Sequence, residues 1–114
     1  LSGGEQRRAA LATLLAQQPA VLLLDEPTNH LDPRQIAGVM QLAREACSSG
    51  AAVIVTLHDP QLANRWADRV LLLGDGAWQL GSAADMLHAE ALTHLYGTPF
   101  REISSEGRSV LLQD

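Results

Sequence analysis

The chain contains no lysine: all eight of its basic residues are arginine. This excludes a phosphate-binding loop of the form G-x-x-x-x-G-K-[ST] from these 114 residues, because that loop sets a lysine ammonium on the terminal phosphates as a point charge. Cysteine is nearly missing too. Cys47 has no second cysteine to pair with, so no internal disulfide braces the fold, which suits a reducing compartment. Long apolar runs are also lacking. None approaches the ~18 residues that span a bilayer, and no signal peptide is visible, so any membrane role must come through a partner. Positive charge is in deficit, with a formal net charge of -5, which argues against a broad nucleic-acid surface.

What is present describes an ordinary soluble globular domain. Hydrophobic residues make up 46% and charged residues 18%, and the length suffices for one modest domain with a real core. No internal repeat or low-complexity linker appears.

Residues 1–18 read as a helix. Ser2 is placed to cap it, with Glu5 three positions later as the return half of a capping box, and Pro19 marks the end. Ala9, Ala10, Leu11, Leu14 and Leu15 supply a helical apolar face. Ala20-Val21-Leu22-Leu23-Leu24 follows, an unbroken apolar run that predicts a parallel strand buried on both faces. Asp32-Pro33 is an N-cap followed by proline at the first helical position, and Ile36, Val39, Met40 and Ala43 share one face of the helix it opens. Gly50 is placed to stop that helix. Ala52 to Leu57 predicts a second buried strand, and Asp59-Pro60 opens a short helix through Trp66. Val70 to Leu73 and Trp78 to Leu80 flank a Gly-Asp-Gly turn and predict a hairpin. Ser82 opens a helical stretch ending near Gly97, and the tail from Phe100 to Leu112 suits a second small hairpin around Glu106-Gly107. The alternation of strands and helices predicts an α/β layer with a mostly parallel sheet, whose ligands gather at the carboxyl ends of the strands.

That edge is where the polar residues fall. Asp25 and Glu26 end the first apolar run, and burying unpaired carboxylates in a core is costly. One carboxylate there suits Mg²⁺, a hard cation, and its neighbour suits polarising a water for phosphoryl transfer. His58 ends the second run, at the same edge if the two strands are parallel, where an imidazole could hydrogen-bond a γ-phosphate. At the chain's start, Gly3 and Gly4 leave the N–H groups of a helix terminus uncovered, an arrangement that attracts phosphate, with the Ser2 hydroxyl as a further donor. Taken singly, each feature has a bland alternative: solvated turn carboxylates, a structural histidine, an ordinary capping box.

Taken in order, they do not stand singly. Leu1-Ser2-Gly3-Gly4-Glu5-Gln6, then Val21-Leu22-Leu23-Leu24-Asp25-Glu26, then Asn29-His30-Leu31-Asp32, then His58 resemble the signature, Walker B, D-loop and switch histidine of an ABC-type ATPase. The resemblance implies the C-terminal part of a P-loop nucleotide-binding domain. Residues 1–18 would be the signature helix at the end of the helical subdomain, 19–97 the C-terminal part of the ATPase core, and 98–114 a C-terminal extension. It implies ATP and Mg²⁺ as cofactors. Asp25 then organises the metal, Glu26 acts as general base and His58 senses the γ-phosphate. Ser2, Gly3 and Gly4, with Glu5 and Gln6 of the same motif, face the nucleotide of a second subunit in a head-to-tail dimer, and Asp32 communicates across that interface. Walker A, the adenine-stacking aromatic and the Q-loop would precede Leu1, so these residues alone are expected to be inactive and to fold poorly.

The segment after His58 is similar to the transporter pattern, and the ending from Ala91 to Leu112 resembles importers of cobalamin, haem and iron-siderophore complexes. The implied partners are a second ATPase subunit, most simply a second copy, transmembrane permease subunits and, indirectly, a periplasmic or surface solute-binding protein, with no nucleic acid. The implied location is peripheral, on the cytoplasmic face of the bacterial inner membrane. A ribosome-associated translation factor of the same ATPase class is the alternative. The acidic balance and the lack of a basic run stand against it, and the lack of heptads stands against the chromosome-maintenance ATPases.

Overall fold

A computed structural model describes residues 3–74, 76–105 and 108–113. Its elements run α1 (Gly3–Ala16), β1 (Val21–Asp25), α2 (Pro33–Ser48), β2 (Ala52–Thr56), α3 (Pro60–Trp66), β3 (Arg69–Gly74), β4 (Ala77–Ser82), α4 (Ala83–Met86), α5 (Ala89–Tyr96), β5 (Phe100–Ser105) and β6 (Arg108–Gln113). The expected α/β class is borne out, with a parallel strand pair, flanking helices and antiparallel hairpins. The chain divides into two compact units between His58 and Asp59. α1 packs on α2 within the first unit. Among the described residues no helix is long and apolar enough to cross a membrane.

In the first unit β1 and β2 pair in parallel from Val21 opposite Ala52 to Asp25 opposite Thr56. Leu11 of α1, Leu22 of β1 and Val39 and Ala46 of α2 form its core, with Leu24 and Val53 packed against it. Only one face of the strand pair is therefore covered. On the other, Val21, Leu23 and Ile54 are 56%, 70% and 58% exposed, so burial on both faces does not occur among the described residues. The helices supply one layer, and the period of two along each strand sends alternate side chains away from it. The same geometry thins the expected face of α1. Leu11 is buried and Leu15 half-buried, while Ala9, Ala10 and Leu14 are exposed. α1 ends at Ala16, before the expected Gln18, and Gln18 takes a φ of +52°. Pro19 accounts for the early end of the helix, because its ring disfavours helical geometry at the residue before it.

α2 begins as the Asp-Pro pair predicts. The Asp32 carboxylate accepts from the Gln35 N–H at 2.8 Å, and the Gln35 side chain accepts from the Asp32 N–H at 3.1 Å. That closed capping box was not read from the sequence, although glutamine three positions after the cap is one of its usual return residues. Asp32→Ala should lower stability by ~1 kcal/mol, whereas Asp32→Asn, which keeps an accepting side chain, should be nearly neutral. Chemical denaturation of the two variants checks both values, and equal losses would show that the cap contributes nothing. Val39, Met40 and Ala43 of the expected apolar face are buried, and Ile36 is half-buried.

In the second unit β3–β4 and β5–β6 are antiparallel hairpins. Asp75 of the Gly-Asp-Gly turn and the expected turn at Glu106-Gly107 lie outside the described residues. Val70, Ala83, Leu87, Leu92 and Leu111 form the core of this unit. The single helix expected from Ser82 to Gly97 is two, α4 and α5. Leu87 leaves helical geometry and turns into the core, and His88 takes extended backbone with its Nδ1 accepting from the Ala91 N–H at 3.2 Å. A buried leucine and a capping imidazole thus break an apolar pattern that by itself reads as continuous. Gly97 ends α5 in the left-handed region, at φ +68°, where glycine pays no Cβ penalty.

Candidate functional site

Parallel pairing in register brings Asp25 and Thr56 opposite each other at the carboxyl ends of β1 and β2. The Thr56 hydroxyl donates to Asp25 Oδ1 at 2.6 Å and accepts from the Glu26 N–H at 2.8 Å. One hydroxyl therefore orients the first carboxylate and anchors the backbone of the second. Glu26 itself sits at φ +46°, a left-handed geometry that costs a non-glycine residue about 1–2 kcal/mol and turns the chain out of the strand. Its carboxylate is held on both sides. Oε2 accepts from the Asn29 side-chain amide at 2.6 Å, and Oε1 contacts Nε2 of His58, which follows β2. Where that ring nitrogen carries its hydrogen, it donates to Glu26. Side-chain exposure of 37% for Glu26 and 77% for His58 keeps the pair open to solvent.

Asp25, Glu26 and His58, expected at one sheet edge, are thus gathered there, Asp25 through Thr56 and the other two in direct contact. The glycines stand apart, at the start of α1. Gly3 is exposed with open space where a side chain would be, whereas Gly4 is buried against the first turn of α2. A Cβ on Gly4 would come to 2.7 Å from Cγ of Gln35, the glutamine of the Asp32 capping box. Close helix approach is therefore one reason for glycine at this position. Glu5 and Gln6 are exposed on the first turn of α1. Ser2 lies outside the described residues, as does its capping box with Glu5. Asp32, expected at an interface, is engaged as the cap of α2.

Two residues of this edge, Thr56 and Arg7, were not read from the sequence, and Asn29 was read only as part of the D-loop motif, not as a partner of Glu26. Thr56 could have been found by assuming the parallel register, since it is the polar residue ending β2 at the level of Asp25. Asn29 had only the spacing of three residues from Glu26 as a signal. Arg7 had none: it donates from α1 to the carbonyls of Pro27 and Asn29.

No group of three or more His, Cys, Asp or Glu side chains among the described residues is arranged to enclose a metal. A dedicated cage of the kind Ca²⁺ or Zn²⁺ uses is not built here. The single exposed Asp25 carboxylate does fit Mg²⁺, which takes one or two carboxylates and completes its shell with water and substrate phosphates.

Comparison with known proteins gives this edge its context. The family described as AAA domain, putative AbiEii toxin, Type IV TA system matches residues 1–64. The hemin import ATP-binding protein HmuV of Rhodococcus jostii (strain RHA1) is 48% identical over 104 residues, covering 90% of this chain and 36% of that protein. The phosphonates import ATP-binding protein PhnC of Frankia casuarinae (strain DSM 45818 / CECT 9043 / HFP020203 / CcI3) is 44% identical over 107 residues, covering 91% of this chain and 42% of that protein. A solved inward-facing conformation of a putative metal-chelate type ABC transporter superposes with a TM-score of 0.87 at 28% identity, over 100% of this chain and 47% of that one. This chain spans about a third of the length of the curated relatives it matches. With its sequence motifs and its fold shared in this way, the chain belongs to the AAA-domain family so described, and its relatives and structural neighbours identify it as an ABC-type ATPase.

Proposed function

We propose that these residues serve an ATP-hydrolysing subunit of an ABC importer, furnishing the water-activating edge for one nucleotide and part of the lid over a neighbour's. The observation that carries the reading is the doubly held carboxylate of Glu26 at the carboxyl end of a parallel strand pair. A general base must lie within hydrogen-bond reach of the proton it takes, and a fixed, solvent-open carboxylate beside a histidine meets that requirement. In the proposed reaction Glu26 takes a proton from water as the water oxygen bonds to the γ-phosphorus. The bond from that phosphorus to the ADP oxygen breaks, releasing ADP and phosphate. His58 holds Glu26 and faces the γ-phosphate. Asp25, oriented by Thr56, would hold Mg²⁺, which neutralises phosphate charge when bound.

Ser2, Gly3 and Gly4, with Glu5 and Gln6, are proposed to face the γ-phosphate of a nucleotide bound by a second subunit, using the N–H groups of the α1 terminus. Asp32 is proposed to act at that dimer interface while capping α2. The subunit would dock beneath permease subunits on the cytoplasmic face of the membrane, reach a solute-binding protein only through them, and contact no nucleic acid. Closure of the nucleotide sandwich would then gate the permease.

For the solute we infer haem, among the cobalamin, haem and iron-siderophore group, supported by the similarity to hemin import ATP-binding proteins. Phosphonates, for which other relatives are named, are the competing solute. Deleting the intact gene should abolish haem uptake. Loss of phosphonate, cobalamin or ferric-siderophore uptake in its place would reassign the solute and keep the importer role. Normal uptake of all four would remove that role.

A further inference from the structure

We propose that Asn29 and Arg7 are positioning residues that hold the Glu26 carboxylate for its work as base, an inference that rests on the function proposed above. The loop from Glu26 to Asp32 is not held by its own backbone preferences. Glu26 and His30 both stand in the left-handed region, at φ +46° and +63°, a geometry non-glycine residues keep only where the surroundings impose it. The imposing contacts come from inside and outside the loop. From inside, the Asn29 N–H donates to the Glu26 carbonyl at 3.3 Å, and its side-chain amide donates to Glu26 Oε2 at 2.6 Å. From outside, Arg7 Nη1 on α1 donates to the carbonyl of Pro27 at 3.2 Å and also to that of Asn29.

The result is a strut of three links. The guanidinium fixes the backbone of residue 29, residue 29 fixes one carboxylate oxygen, and His58 meets the other. A planar guanidinium suits this task, because its donors are rigidly disposed and its charge cannot be lost by deprotonation. Glutamate gains most from such support, since its long side chain otherwise samples several rotamers, and small displacements of a reacting group cost large factors in rate.

The test uses the full-length ATPase. Asn29→Ala should lower kcat about tenfold to a hundredfold, the scale of a misplaced catalytic group, while KM for ATP and nucleotide affinity stay within about twofold because that side chain faces Glu26 rather than a nucleotide-binding group. Arg7→Met should show the same split, and Arg7→Lys should restore part of kcat. In the Glu26→Gln background, Asn29→Ala should cause no further loss, as expected of residues acting in one unit. A folded Asn29→Ala enzyme with kcat within about twofold of the unmutated protein would overturn the strut. So would a fall in kcat accompanied by a matching loss of nucleotide affinity and of melting temperature, which marks a merely structural turn. Should Asn29→Ala fail to fold, the Arg7 pair decides: equal kcat in Arg7→Met and the unmutated enzyme overturns the proposal. Glu26→Gln in the same assays separates the two levels. An inactive Glu26→Gln beside a fully active Asn29→Ala defeats the strut alone, and a fully active Glu26→Gln defeats the assignment of the base and the strut with it.

Discussion

With Glu26 as the proposed base, replacing it by glutamine in the full-length ATPase should lower turnover by about a hundredfold or more, the usual contribution of a positioned base, and leave ATP binding intact. Glutamine keeps the size of the side chain, and its amide oxygen still accepts from the Asn29 amide that now meets Oε2. What it loses is the ability to take a proton from water. In the proposed head-to-tail dimer, a nucleotide that binds but is not cleaved would hold the two subunits together, so the variant should accumulate as a long-lived ATP-bound dimer. Single-turnover hydrolysis and size-exclusion chromatography in ATP measure the two effects. Hydrolysis near the normal rate would remove Glu26 from its role and transfer the search to another carboxylate.

Truncating Leu92 to alanine destabilises the second unit by ~2–5 kcal/mol, the cost of deleting a buried leucine whose cavity cannot fully collapse. Leu92 has 0% exposure and sits in the cluster with Val70, Ala83, Leu87 and Leu111, drawn from β3, β6, the α4 cap and α4 itself. It is thus the point where α5 closes over both hairpins. Leu92→Met, which keeps volume, should cost less than about 1.5 kcal/mol. Denaturant unfolding and protease susceptibility of residues 59–113 read the difference. A loss for Leu92→Ala no greater than about 0.5 kcal/mol, the range of surface changes, would show that this cluster is not the core of the unit.

Much of the fold was legible because its signals are local. Asp32-Pro33 and Asp59-Pro60 mark helix starts through a side chain that reaches a backbone N–H two or three residues on, and both start where expected. The aliphatic runs ending at Asp25 and Thr56 mark strands of five residues each. The failures share a cause. Reading β1 as buried on both faces, α1 as broadly apolar and residues 82–97 as one helix each required knowing what packs alongside, and periodicity does not say that. Leu87 leaves the helix because the core of its unit takes it, and His88 caps the next turn.

The sequence by itself determined which chemistry is present: two carboxylates and a histidine at the ends of apolar runs, glycines at a helix start, no lysine for a phosphate loop, and a motif order shared with the ABC-type ATPases. Tertiary structure decided how that chemistry is held. Thr56 reaches Asp25 and Glu26 across thirty or more positions of sequence, Arg7 reaches the carbonyls of Pro27 and Asn29 across about twenty, and Gln35 presses on Gly4 from another helix. Local preferences act over a turn of helix or a pair of strand residues. A hydrogen bond between distant segments exists only once strand register and helix packing have set its two ends within 3 Å or so of each other.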